Sequence, residues 1–241
     1  MVTVITEKIE AALSKLHQQK TTDYPVPDNL APLIDHTLLK PDARKEDIDR
    51  LCKEALEHEF ATVCVNPVHV RRCVLALENS KVQVASVVGF PLGATTSDIK
   101  AFETKRVVDL GALEVDMVMN IGQLKDRLYE AVLEDVHRVV QTAGGHCVKV
   151  ILETGLLNRE EKIAACVICL EAGAAFVKTS TGMVSGGATV EDVRLMRQVV
   201  GEQIGVKAAG GIRDAETARA MVKAGATRLG ASASLEIIGA S

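Results

Sequence analysis

The sequence predicts an α/β fold, a (β/α)8 TIM barrel preceded by an extra N-terminal helix. Three observations predict it. Short apolar, β-rich runs alternate with longer amphipathic segments, the pattern of βαβ units and a parallel sheet. Eight such runs recur at fairly even spacing, which favours a closed barrel; an open doubly wound sheet stays as the alternative. Finally, 47% of the 241 residues are hydrophobic but only 2% are aromatic, with no Trp. A core of small aliphatic side chains suits strands covered on both faces.

In chain order, residues 1–20 carry Glu7, Glu10 and Lys15 among spaced apolar residues. They read as an amphipathic helix rather than a signal peptide, which would hold a continuous apolar stretch. A polar, Pro-containing lead-in follows at 21–29. Strands are expected at 33–39, 61–66, 82–89, 114–120, 147–153, 175–180, 205–209 and 227–231. Between them lie helical patterns, among them 45–57, 121–143, 159–172 and 189–200. No linker, low-complexity segment or strong repeat interrupts them. One domain over 1–241 is expected, with 1–29 as helix and lead-in and 30–241 as barrel.

Charge and cysteine usage exclude several classes. The formal net charge is −4, against the concentrated basic face that nucleic acid requires. The one tight basic pair, Arg71 and Arg72, falls in a helical pattern and reads as a solvated face. No run reaches the roughly 18 apolar residues of a membrane span. Six cysteines, Cys52, Cys64, Cys73, Cys147, Cys166 and Cys169, sit mostly in apolar runs without disulfide spacing. Cys166-x-x-Cys169 lies on what reads as the buried side of a helix, and no second CxxC or His pair completes a metal site. Buried thiols in a reducing cytoplasm are expected.

Strand parity points to the chemistry. Alternate strand residues share a face. In the predicted fourth strand Glu114, Asp116 and Asn120 share one; in the fifth, Lys149 and Glu153 do; in the sixth, Lys178 and Ser180; in the seventh, Lys207 and Ala209. In the first, Asp35 and Thr37 alternate with Ile34, His36 and Leu38. Charges recurring on one parity belong inside the barrel near its mouth, where each needs a partner or a shifted pKa. A single such residue reads as a structural ion pair. Two lysines on adjacent strands do not.

Lys178 and Lys207 each precede a Gly-containing strand end on neighbouring strands, about 4.8 Å apart, so both amines can reach one pocket. A free lysine keeps its proton to about pH 10.4, and making it a nucleophile near neutrality costs about 4 kcal/mol. Burial and a second cation can supply that. Gly210, Gly211 and Arg213 follow the seventh strand, and a second Gly-containing run, with Ser232, follows the eighth. In barrels the loops after these two strands commonly hold phosphate on backbone N–H groups.

At these residues a resemblance becomes specific. FVKTSTG at 176–182 looks like the Schiff-base strand of deoxyribose-phosphate aldolases, and VKAAGGIR at 206–213 resembles the family's second-lysine segment. IDHTLLKP at 34–41, VCVNP at 63–67, VGFPLG at 88–93, EVD at 114–116, KVILETG at 149–155 and RLGAS at 228–232 match further family segments in order. The resemblance implies reversible, metal-independent cleavage of 2-deoxy-D-ribose 5-phosphate to acetaldehyde and D-glyceraldehyde 3-phosphate in deoxyribonucleoside catabolism. It implies no cofactor, and a homodimer or larger homo-oligomer.

Carried over by position, Lys178 is the nucleophile, Lys207 the cation that lowers its pKa, and Asp116 the acid/base acting with a water. Asp35, Thr37 and Cys64 would line the pocket, with Lys149 close by. Gly182, Gly210, Gly211 and Ser232, with Arg213, would bind phosphate. Met183 and Ala233 depart from relatives that carry Lys and Ser there, which shifts phosphate binding toward backbone donors. The alternatives are another Schiff-base barrel aldolase, a metal-dependent aldolase (which needs clustered His, whereas His17, His36, His58, His69, His137 and His146 are scattered) and a non-catalytic sugar-phosphate sensor.

Overall fold

A computed structural model describes residues 4–16, 22–184 and 186–240; the remainder of the predicted first helix and His17 lie outside the described residues. Eight parallel strands close in sequence order, β1 pairing with both β2 and β8. They are β1 (Ile34–Leu38), β2 (Thr62–Val65), β3 (Gln83–Val88), β4 (Glu114–Val118), β5 (Cys147–Ile151), β6 (Phe176–Lys178), β7 (Gly205–Ala209) and β8 (Arg228–Ala231). The closed barrel excludes the open sheet. Each expected strand is present, most of them trimmed by one or two residues at an end.

The strands are buried on both faces, as in β4, where all five residues are buried. One parity packs on the helices: Val115, Met117, Val150, Val177, Val206 and Leu229 belong to a single apolar core. Around the barrel run α2 (Lys45–His58), α3 (Val70–Ala76), α4 (Ser97–Asp109), α5 (Ile121–Lys125), α6 (Tyr129–Thr142), α7 (Arg159–Glu171), α8 (Val190–Val200), α9 (Ala215–Lys223) and α10 (Ser234–Ile238). The extra helix α1 (Val4–Lys15) buries Ile5 and Ile9 and pairs Lys8 with Glu171 of α7.

Polar caps begin several helices close above the strand ends, which fixes the loops at the mouth. Asn158 Oδ1 accepts from Glu161 N–H at 2.9 Å while Glu161 accepts from Asn158 N–H at 2.8 Å, a reciprocal capping box. Thr189 and Asp214 cap α8 and α9 by accepting from Asp192 and Thr217 N–H groups.

The single helical pattern at 121–143 is two helices. Arg127 takes φ 59°, in the left-handed region, and Leu128 N–H returns to Gln123 O at 2.9 Å, so α5 ends and α6 starts afresh. Apolar spacing is continuous across that break, and spacing is all that periodicity reads. Cys166 and Cys169 are both buried in α7 and free, as are Cys52, Cys64 and Cys73, while Cys147 is half-buried. Arg72 pairs with Asp49 on the surface, at 2.5 Å.

Candidate active site

The inner parity brings the charged residues together. Asp116 and Lys149 are register partners on β4 and β5, as are Lys178 and Lys207 on β6 and β7. Asp116 is fully buried and accepts from three lysines: Lys149 at 2.8 Å on Oδ1, and Lys178 at 2.8 Å and Lys207 at 2.7 Å on Oδ2. Lys207 also donates to Asp35, and Lys149 lies 3.5 Å from Asp35 and 2.5 Å from Glu114.

This arrangement separates the lysines electrically. Burial pushes the Lys178 amine below the usual lysine value, Lys207 pushes the same way, and Asp116 opposes them. Lys207 goes the other way: against the cost of burial, Asp116 and Asp35 hold it above the usual value. Lys149 lies well above it for the same reason, with Glu114 contributing. Asp116 is held well below the ordinary carboxylate range by Lys149, Lys178 and Lys207, despite its burial. Asp35 is likewise lowered, by Lys207, Lys149 and Arg228 against burial.

Above this network, at the C-terminal ends of the strands, opens a cleft of about 300 Å³. Of the three lysines bound to Asp116, Lys178 is the one that lines it. Thr37, Gly182, Met183, Gly210, Gly211, Arg213 and Ser232 line it too, so every residue expected to bind phosphate borders one space. Asp35, Cys64, Lys149, Lys207 and Asp116 lie below, fully buried. Cys64 packs with Leu39, Ala85 and Val87, and burial pushes its thiol up to about 11. The Thr37 hydroxyl donates back to Asp35 O at 2.8 Å.

Backbone geometry explains the glycines. Gly210 and Gly211 have φ 90° and 79°, values that L side chains rarely adopt. A Cβ on Gly230 would stand 2.9 Å from Ala209 Cβ and 3.0 Å from Lys207 Cε, so glycine there makes room for the lysine. Thr181 anchors the β6 loop by donating its hydroxyl, at 2.6 Å, and its N–H, at 3.1 Å, to the buried Glu153.

Arg228 is a site group that strand parity did not single out, whereas His36, expected as a packed or hydrogen-bonded core residue, is one. Arg228 binds Asp35 at 2.7 Å and Glu114 at 3.3 Å, and lies over the Phe176 ring at the barrel floor. It shares parity with Gly230, so alternation extended to β8 would have found it. His36 faces outward and is buried, with Nδ1 2.8 Å from Ser234 Oγ and Nε2 2.8 Å from Glu54; no periodic signal marks that triad.

A lysine-centred interior beneath a glycine-lined cleft is the layout of an aldolase barrel, and comparison with known proteins agrees. Residues 30–241 match the family described as DeoC/LacD family aldolase, and the chain belongs to it. Among its relatives is a deoxyribose-phosphate aldolase of Natranaerobius thermophilus, 56% identical over 212 residues, covering 88% of this chain and 96% of that one. Another, from Streptococcus uberis, is 58% identical over 205 residues, covering 85% and 93%. The crystal structure of a Coccidioides immitis protein provisionally assigned the same activity superposes with TM-score 0.93 at 42% identity, covering 99% and 98%. The deoxyribose phosphate aldolase of Aeropyrum pernix, described as tetrameric, superposes with TM-score 0.82 at 33% identity, covering 96% and 95%. No helix among the described residues is long and apolar enough to cross a membrane.

Proposed function

We propose that this chain is a deoxyribose-phosphate aldolase that cleaves 2-deoxy-D-ribose 5-phosphate reversibly through a Schiff base on Lys178. The observation that carries the reading is the position of Lys178, a buried amine with a lowered pKa at the base of a cleft whose rim is built from glycine loops. The relatives named above support the substrate.

Neutral Lys178 attacks the aldehyde carbon of the open-chain sugar. Asp116 takes the proton that the nitrogen sheds, and through a water returns one to the departing hydroxyl, so the carbinolamine loses water. The iminium nitrogen becomes cationic beside a carboxylate already in place, 2.8 Å away. Asp116, again a carboxylate, takes the proton of the C3 hydroxyl through a water, the C2–C3 bond breaks, and its electron pair passes into the iminium to give an enamine. Glyceraldehyde 3-phosphate leaves. Protonation at C2 and hydrolysis release acetaldehyde and restore the amine.

Gly182, Gly210, Gly211, Ser232 and Arg213 hold the phosphate, Thr37 faces the sugar, and Lys207 keeps Lys178 neutral. Asp35, Lys149 and Cys64 support the site from below. The chain works as one barrel domain, in the cytoplasm, as a homodimer or larger assembly, without nucleic-acid partners. Incubation with acetaldehyde and borohydride, followed by peptide mass spectrometry, tests the reading. A two-carbon adduct on Lys178 is expected; no adduct from the folded protein sinks it and favours a sugar-phosphate sensor.

A further inference from the structure

Most of the charges inside the barrel form one connected set that reaches far below the cleft. At the floor Arg228 binds Glu114 at 3.3 Å and Asp35 at 2.7 Å. Glu114 binds Lys149, Asp35 binds Lys207, both lysines bind Asp116, and Asp116 binds Lys178. Three carboxylates, Asp35, Glu114 and Asp116, thus face the cations Lys149, Lys207 and Arg228, with Lys178 as the fourth basic group. The bordering thiols of Cys64 and Cys147 are pushed up to about 11 by burial, so they are neutral near pH 7. Glu153, also buried, lies outside this set, hydrogen-bonded to Thr181 at the mouth and the same in every variant below, while Lys40 and Arg213 border the cleft from its exposed rim, where solvent screens them. The set is electrically balanced when Lys178 is neutral. Protonated Lys178 leaves one positive charge uncompensated.

We propose that Arg228 and Glu114 are positioning residues that fix the charge state of Lys178 by setting the charge count of this buried network. This rests on the reading of Lys178 as the nucleophile. Neither residue borders the cleft. An uncompensated charge in a protein interior is costly, and the network member best able to remove one is the amine that starts neutral. Without Arg228 the network carries one excess negative charge, and Lys178 binds a proton more readily. Without Glu114 the excess is positive, and Lys178 binds one less readily. Without both the count is restored. Because the two are ion-paired, stability can also recover in the double variant; the opposite directions of the midpoint in the two single variants are what a merely structural role would not produce.

The test reads the protonation midpoint of Lys178 in four chains: unsubstituted, Arg228→Met, Glu114→Gln and the double variant. Trace acetic anhydride is applied from pH 5 to 10.5, and labelling of the Lys178 peptide is quantified against the exposed Lys53. The pH dependence of kcat/KM for deoxyribose 5-phosphate is measured in parallel. Arg228→Met should raise the midpoint by about one pH unit, Glu114→Gln should lower it, and the double variant should return close to the parent. Equal midpoints throughout, or a double variant that departs further than either single one, overturn the proposal. If Arg228→Met does not fold, the direction of Glu114→Gln and the return in the double variant decide. Labelling does not require turnover. Shifted midpoints in a chain that cleaves nothing would keep the electrostatic proposal and sink the aldolase reading; cleavage with unmoved midpoints would do the reverse.

Discussion

Lys178 and Lys207, register partners on β6 and β7, donate to the same oxygen of Asp116, at 2.8 and 2.7 Å. Two amines on one carboxylate oxygen cannot both be comfortably charged. Burial and Lys207 push Lys178 down, while Asp116 and Asp35 hold Lys207 up against its burial. The pair therefore divides into an amine of lowered pKa that borders the cleft and one of raised pKa beneath it.

Lys178→Ala should reduce cleavage by a factor on the order of 10⁴ or more, the scale seen when a covalent nucleophile is removed. The acetaldehyde adduct should vanish with it. Near-normal turnover in this variant would remove the Schiff-base assignment.

Lys207→Leu removes the cation that favours neutral Lys178. The amine then keeps its proton to higher pH, so the acid limb of the kcat/KM profile should move alkaline. The same change leaves Asp35 and Asp116 each one partner short, a loss of about 3–5 kcal/mol in thermal or denaturant unfolding. An unmoved acid limb would show that Lys207 does not tune its neighbour.

Gly230→Ala places a methyl 3.0 Å from Lys207 Cε and 2.9 Å from Ala209 Cβ. Overpacking of this kind costs about 1–3 kcal/mol. Because the crowded atom belongs to Lys207, kcat should fall along with Tm. Parent-like kcat in a destabilised protein would mean that the lysine is not displaced.

Arg213→Ala takes a guanidinium from the exposed rim of the cleft. A lost charge-assisted contact to phosphate is worth about 1.5 kcal/mol or more, which is roughly a tenfold rise in KM for deoxyribose 5-phosphate. The slower reaction of unphosphorylated deoxyribose should be unaffected. Equal losses on both sugars would place Arg213 outside phosphate binding.

Acid stability should follow Asp35 and Asp116. Both are held below the usual aspartate value of about 3.9, so their stabilisation is fully present above that pH and is lost as pH falls through their folded values. Melting followed by circular dichroism from pH 7 to pH 2.5 should show Tm dropping below about pH 4. Asp35→Asn should start lower and fall less steeply. A parent Tm that is flat to pH 2.5 would contradict the linkage.

Side of strand was legible in the sequence, and depth was not. A period of two assigns Asp116, Lys149, Lys178 and Lys207 to the interior without knowledge of the partner strands. It does not tell that Lys178 borders the cleft while Asp35 and Cys64 lie in the layer below, because depth depends on barrel stagger between strands far apart in the chain. The phosphate-binding candidates were legible for a different reason: Gly210 and Gly211 occupy backbone conformations that few other residues tolerate. The α5–α6 break was not, since it turns on one left-handed residue, Arg127, in an otherwise helical pattern. The tie of Glu153 to Thr181 joins residues 28 positions apart and leaves no local trace.

The closed strand order has a consequence for when the enzyme becomes competent. In an unfolded chain at pH 8 Lys178 is an ordinary ammonium. Its lowered pKa needs β6 and β7 assembled within the closed barrel, since only there is the amine both buried and set against Lys207. Barrel closure itself thus loosens the proton. If Lys178 is the nucleophile, folding readies it before any sugar arrives, and a nascent or partly open barrel holds a lysine that condenses with aldehydes far more slowly.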